Sequence, residues 1–230
     1  MTKSATREAA DEVSAPIASP VFTGNVSHGD NVKAKFGTGN DLEIFHDGSH
    51  SRIKDVGTGH LVLSGGEVHF NNSDNTSNHL VINSAGIVTK PLQPAFQVRP
   101  ASTQANLPLN TDTTILWGTE VVDQNSDFSS NTFTAPVSGK YQLNLHLYFN
   151  DLNQGTHIYD LKIVTHNQTF IHVIDMRPFD ANSPNWSFCV SVLAEMDAND
   201  TAYIVVKPYN SGSALTDITT LSHFSGFLAC

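Results

Sequence analysis

His46, Asp47, His50, Asp55 and His60 crowd into DLEIFHDGSHSRIKDVGTGHLVLSG, residues 41–65. Imidazole with carboxylate is a legitimate ligand set for zinc and other transition metals, and equally an acid–base set. His46 and His50 are spaced by four, which on a helix would put them on one face. Asp-Gly-Ser between them, however, is a turn signal, so the two histidines are expected to flank a hairpin turn and to meet only across strands. A polar turn is the expectation for this stretch. If several copies of the chain meet on an axis, one histidine per chain can still form a ring around an ion, and His60, His69 and His79, in or beside strand-like segments, are the candidates. No metal is expected within one chain.

Catalysis finds little to use. GxSxG, HExxH, a P-loop and a GxGxxG before a helix are all missing from the chain. Asp175 and Asp180 flank MRPF, and Asp197 and Asp200 share a turn, but carboxylate pairs arise readily in acidic loops. Neither an enzymatic role nor a cofactor is expected. Exposed aromatics beside Asn and Asp are better placed to act, because that is how proteins grip a sugar. Tyr148, Phe179, Trp186 and Tyr209 fall in loops or on outward positions and are the candidate receptor-binding residues. Trp117 and Phe133 are assigned to packing.

The 230 residues carry 12 Lys plus Arg against 22 Asp plus Glu, a formal net charge of -10. A polyanion would be repelled at long range, which argues against nucleic acid and anionic membranes as partners. Charged residues make up 15% of the chain, below the roughly 25% of ordinary soluble domains, with Asn, Ser, Thr and Gly in their place. That composition suits a β-rich, turn-rich surface. Cys189 and Cys230 have no CxxC partner, so neither a disulfide framework nor a zinc knuckle is expected. Residues 1–20 contain no apolar run of the length a secretory leader needs, and no stretch is long and apolar enough to span a membrane as a helix. The Asn-x-Ser/Thr triplets at Asn25, Asn71, Asn75, Asn167, Asn185 and Asn199 are read as by-products of the composition.

Three regions must position these side chains. Residues 1–24 combine SATREAADEV, a short helix capped by Ser4 or Thr6, with a Pro-containing strap ending in VFTGN. This is read as an attachment arm, with Ala9, Val13, Ile17, Val21 and Phe22 as its apolar contacts. Over 25–90, GNDLEIF, GHLVLSG and NHLVINS recur about every twenty residues and are expected to be three short strands. Each offers two or three apolar side chains, too few to close a core, so the units are expected to stack along a shaft or against other copies. From 91 to 230 longer alternating runs take over. In KYQLNLHLYF, Tyr141, Leu143, Leu145, Leu147 and Phe149 point one way and Gln142, Asn144, His146 and Tyr148 the other. TTILWGTEVV, THIYDLKIVTH, QTFIHVIDM, NWSFCVSVLAEM, TAYIVVKPY and SHFSGFLA read as similar strands, giving an all-β antiparallel sandwich or jelly roll.

TFTAPVSGKYQLNL (132–145), AEMDANDTAYIVV (194–206) and HFSGFLA (223–229) resemble, in order and spacing, the globular heads of complement one-q and the tumour-necrosis-factor superfamily. The resemblance implies a ten-stranded jelly roll assembled as a homotrimer, with ligands taken by variable loops whose residues do not transfer by position. ASPVFTGNV (18–26) and residues 39–63 resemble segments of bacteriophage tail fibres, particularly marine and cyanobacterial ones. Together the two likenesses imply a virion fibre: arm on the phage particle, β-repeat shaft, and a head contacting a host surface glycan. A trimer that decorates the capsid or joins tail components is the alternative, and a secreted complement-like ligand a third.

Overall fold

The computed structural model describes residues 23–153, 155–209 and 216–230; the arm residues Ala9, Val13, Ile17, Val21 and Phe22 lie outside them. The chain divides into two compact units between Gly65 and Gly66, within the span read from sequence as a shaft. The first unit holds β1 (Ala34–Phe36), β2 (Leu42–His46) and β3 (Ser51–Asp55), paired antiparallel in that order. The β2–β3 turn is the Asp-Gly-Ser predicted from sequence, with Gly48 at φ 91 where a Cβ would be strained. GHLVLSG is not a strand. Among the described residues no strand pairs with it, and Leu61, Val62 and Leu63 stand 45%, 74% and 59% exposed, so alternation without a partner leaves it irregular.

In the second unit β4 (Val68–Asn71), β5 (Asn78–Ile82) and β6 (Val88–Thr89) form another three-stranded antiparallel sheet, where NHLVINS does become a strand. Among the described residues the fully buried apolar side chains begin only at Phe96. Residues 23–90 therefore build hairpins that bury no large apolar side chain.

Everything after that is sandwich. The strands are β7 (Ala95–Arg99), β8 (Thr113–Thr114), β9 (Thr119–Gln124), β10 (Phe128–Ser129), β11 (Thr132–Thr134), β12 (Gly139–Leu152), β13 (Ile158–Thr165), β14 (Thr169–Asp175), β15 (Ser183–Met196), β16 (Thr201–Tyr209), β17 (Asp217–Ile218) and β18 (His223–Leu228). One sheet runs β10-β11-β16-β13-β14 and the other β15-β12-β18-β7-β9, all antiparallel. The ten implied strands are these two rows of five; β8 and β17 are two-residue additions to β16 and β12. TTILWGTEVV is broken rather than continuous. Ile115 and Trp117 are buried between β8 and β9, 0% and 5% exposed; the Ile115 N–H still donates to the Ile204 carbonyl at 3.0 Å, and the chain then passes from one sheet to the other.

Alternation along β12 holds as read, with Tyr141, Leu143, Leu145, Leu147 and Phe149 all at 2% exposure or less. Their burial against β16 and β13 residues such as Ile204, Val206 and Leu161 contributes about 1.5–3 kcal/mol for each full-sized side chain before chain entropy is counted. At one end an aromatic knot forms. Phe96 stacks on Phe133 at 4.6 Å and on Phe128 at 5.2 Å, and meets Phe224 edge-on at 5.0 Å. The Ala135-Pro136-Val137-Ser138-Gly139 turn is tied down beside it. The Tyr141 hydroxyl donates to the Val137 carbonyl at 2.7 Å, and Ala135 exchanges backbone hydrogen bonds with Asp200 and Asn199 at 2.8 and 2.7 Å. Gly139 admits no side chain, since a Cβ there would meet Leu228 at 2.6 Å and the Cys230 carbonyl at 2.9 Å.

One polar group in this region works against the fold. An Asp127 oxygen is buried with no hydrogen-bond partner; burial, and then the neighbouring Asp123 carboxylate, push its acid above the usual range, while Asn125 partly offsets them. A carboxyl whose folded value is raised binds more protons folded than unfolded, so its penalty grows as pH rises through that value. Asp127→Asn should therefore raise Tm at pH 7, with the gain shrinking on acidification to pH 4; an unchanged Tm at pH 7 would count against the assignment.

Candidate functional site

The β15-β12-β18-β7-β9 sheet turns one face to the core and the other outward. Strand period two places the outward residues in rows that cross the sheet, about 7 Å apart. Phe227, Gln142 and Leu193 share one row, Ser225, Asn144 and Ser191 the next, and His223, His146 and Cys189 the third. The three rows differ in chemistry.

In the first row Leu193 and Phe227 stand 54% and 46% exposed, and Val122 on β9, 45% exposed, ends the next row through Ser225 and Gln97. Gln142 of the first row and Asn144 and Ser191 of the middle row form a polar cluster closed on itself. Gln142 Nε2 donates to Ser191 Oγ at 2.8 Å and to the Val192 carbonyl at 3.0 Å, and Ser191 Oγ donates to Asn144 Oδ1 at 2.7 Å. Polar groups satisfied within their own chain can be covered by a partner without a desolvation debt. In the third row the His146 and His223 rings stack at 4.8 Å and 22°, and His146 Nδ1 is buried without a partner. Cys189 is a free, exposed thiol on the next strand.

The four candidate aromatics divide among three places. Phe179 and Trp186 come together: their rings meet edge-to-face at 5.0 Å and 89°, and Trp186 stacks on Phe188 at 5.8 Å and 6°. Phe188 leans on core Phe149 at 6.0 Å, so this half-buried shelf is anchored at the edge where β15 ends its sheet. Tyr148 sits instead on the outward face, one row beyond the histidine pair and opposite Ser187. Tyr209 belongs to the other sheet. Its hydroxyl donates to Asp160 at 2.8 Å and the Lys207 ammonium lies 4.9 Å over its ring, while Lys162 pairs with Asp112 at 2.7 Å nearby. The Asp112 hydrogen bond, ahead of all other causes, raises the Lys162 ammonium above its ordinary value.

The histidine-rich stretch resolves into a turn. Asp47 Oδ1 accepts from the Ser49 and His50 backbone N–H groups at 3.0 and 2.7 Å, and its other oxygen accepts from Arg52. Arg52 first, and then His50, hold the Asp47 carboxyl at about 2. His46 Nδ1 lies 3.3 Å from Ser51 Oγ, on the far side of the turn from His50. His69 is engaged by Glu67 at 2.9 Å, which raises its imidazole above the ordinary value, whereas His60 and His79 are exposed. Among the described residues no three His, Cys, Asp or Glu side chains converge as a metal would need. Sequence reading passed over Phe188, the Leu193–Phe227 row and the His146–His223 pair. The outward register of His146 was visible in KYQLNLHLYF, but its partner stands 77 positions away by number, and only sheet pairing joins them.

Two facing five-stranded sheets in this order, closed by the Tyr141 corner, define an all-β jelly roll of the complement one-q/tumour-necrosis-factor type. A C1q domain model matches residues 95–229, more than half of the chain, and the chain belongs to that family. Domains of this family are typically homotrimeric and often bind ligands. Among solved structures it is similar to the globular domain of zebrafish complement 1qA protein, with 19% identity over 60% of this chain and 98% of that one and a TM-score of 0.43. It is also similar to murine APRIL at pH 8.0, with 11% identity, 59% and 98% coverage and a TM-score of 0.43. No curated protein matches the chain.

Proposed function

We propose that the chain is a homotrimeric, non-enzymatic adhesin: three heads associate through the outward face of the β12 sheet and take a glycan at the aromatic shelf. The observation that carries this reading is the exposed Leu193–Phe227 row with the Gln142–Asn144–Ser191 cluster already satisfied within the chain. These two rows carry no Lys, Arg, Asp or Glu, the charge depletion found in interface cores. A closed ring of three needs a heterologous contact, one face against a different surface of the next copy. The edge strand β14, with Ile171 and Val173 at 56% and 54% exposure, supplies an apolar surface of that kind.

The hairpins before residue 95, which bury no large apolar side chain, fit a stem completed by other copies. The sequence likeness of 18–26 and 39–63 to phage tail fibres extends the reading to a virion fibre, held to the particle by residues 1–24 and touching the host with the head. Phe179 and Trp186 are the proposed receptor contacts.

Light scattering at micromolar concentration should give three times 24.9 kDa; a monomer refutes the assembly. Trp186→Ala should abolish glycan-array or host-cell binding by the full chain while leaving the trimer intact. Undiminished binding by that variant removes the shelf from the reading.

A further inference from the structure

We propose that the stacked His146–His223 pair makes assembly of the head pH-dependent, so that the trimer formed at neutral pH loosens on mild acidification as the imidazoles gain charge. The inference rests on the homotrimer reading and names a control built into the same face.

Placement comes first. The pair lies two rows from Leu193 and Phe227 on the outward face, so any copy that covers the apolar row approaches the histidines as well. The rings already stack at 4.8 Å, which suits two neutral imidazoles and sets two imidazolium charges against each other.

The surroundings offer little relief to a second charge. His146 Nδ1 is buried and has no acceptor, so a proton placed there would make an N–H with nothing to donate to. On β15 the facing group is the Cys189 thiol, and further along β12 it is the Tyr148 phenol. On β7, Arg99 follows Val98, the partner of Phe224, so the residue beside the His223 position on that strand is cationic. Of the acidic groups on the adjoining strands, Asp123 on β9 pairs with inward-facing Phe96, Glu195 on β15 pairs with Lys140 three rows away and Asp151 lies near the far end of β12; the remaining two are Glu120 on β9 and Asp217 on β17. Glu120 pairs in register with Val98, and Asp217 pairs with Asn150 and accepts from the Asn106 backbone N–H, so neither is an ion-pair partner of the rings.

Burial, and then His146 beside it, hold the His223 imidazole below its ordinary value, while a hydrogen bond to the Leu221 backbone works weakly the other way. A depressed histidine binds fewer protons folded than unfolded. Its contribution is complete above the ordinary value of about 6.5 and is lost as pH falls through the folded one. Association that desolvates the pair further has the same sign. Each proton that must leave on assembly changes the association constant by up to about tenfold per pH unit, once per chain.

Sedimentation velocity on the full chain at pH 8, 7, 6 and 5, with circular dichroism at each pH, tests this. The expected result is trimer at pH 8, a folded monomer dominating at pH 5, and a trimer that persists to pH 5 in the non-titrating variant His146→Phe/His223→Phe. Should that pair overpack, His146→Gln/His223→Gln serves the same purpose. Monomer at pH 8 overturns the homotrimer reading itself. Trimer at pH 8 that survives unchanged at pH 5, or variants that dissociate at the same pH as the parent, overturn the histidine control and leave the homotrimer standing.

Discussion

Phe224→Ala is expected to be among the most destabilising single substitutions in the head, costing about 3–5 kcal/mol. Phe224 is 0% exposed and touches three aromatic neighbours: Phe96 at 5.0 Å, Trp117 at 6.1 Å and Phe128 at 6.5 Å. Truncation removes the transfer free energy of the ring and leaves a void that stacked, rotamer-locked neighbours cannot collapse into. Collapse is further blocked from below. Gly226, two residues on, already sits where a Cβ would meet Phe96 at 2.7 Å and Leu143 at 2.8 Å, so the backbone there has no room to shift inward. With a urea slope of about 2 kcal/mol/M, the midpoint should fall by about 2 M. A fall under 0.5 M would mean the knot repacks, contrary to the geometry. The test is best run in the Leu193→Asp/Phe227→Asp variant, because linkage to assembly would otherwise blur the unfolding free energy.

How far the sequence reaches differs between elements for physical reasons. β12 was legible because its period-two alternation is enforced on both faces: a buried stripe inward and a hydrogen-bonded polar strip outward. The Phe-Thr-Ala-Pro to Gly-x-Tyr segment was legible as a family motif, and the structure supplies its cause. Tyr141 closes the Pro136–Gly139 turn through Val137, and Gly139 leaves space for the chain end at Leu228 and Cys230.

GHLVLSG misled because alternation states a capacity to pair and says nothing about whether a partner strand arrives. SRIKD shows the reverse, a strand announced by its turn rather than by alternation. It has one apolar residue, Ile53, 60% exposed, yet becomes β3 because the Asp47 turn folds it back on β2. Of the candidate sites, the union of Phe179 and Trp186 depended on a bend between β14 and β15 that no periodicity announces. The histidine row depended on pairing between β12 and β18, which brings together residues with no local relation at all.

Replacing both Leu193 and Phe227 by aspartate should convert the trimer to a folded monomer. The two side chains flank Gln142 across three adjacent strands, so their Cα atoms are about 10 Å apart and a partner covering one covers the other. In the single chain both are about half in water, and carboxylates placed there stay hydrated, so the core beneath is untouched and Tm of the monomer should change little. On assembly three copies bring six carboxylates into a row that otherwise holds no charge. Each would lose hydration worth several kcal/mol with no cation opposite it, and the net charge of -10 per chain supplies no compensating field. That total exceeds what a micromolar trimer can absorb, so sedimentation should show one species near 24.9 kDa. The aromatic shelf lies at the β15 edge on the inward side of that strand and stays intact, so binding of one head to a glycan should survive while binding to a cell surface falls 10²- to 10⁴-fold, the avidity that three linked sites provide. A double variant that remains trimeric would move the interface off this face; a monomer that keeps full cell-surface binding would separate assembly from adhesion.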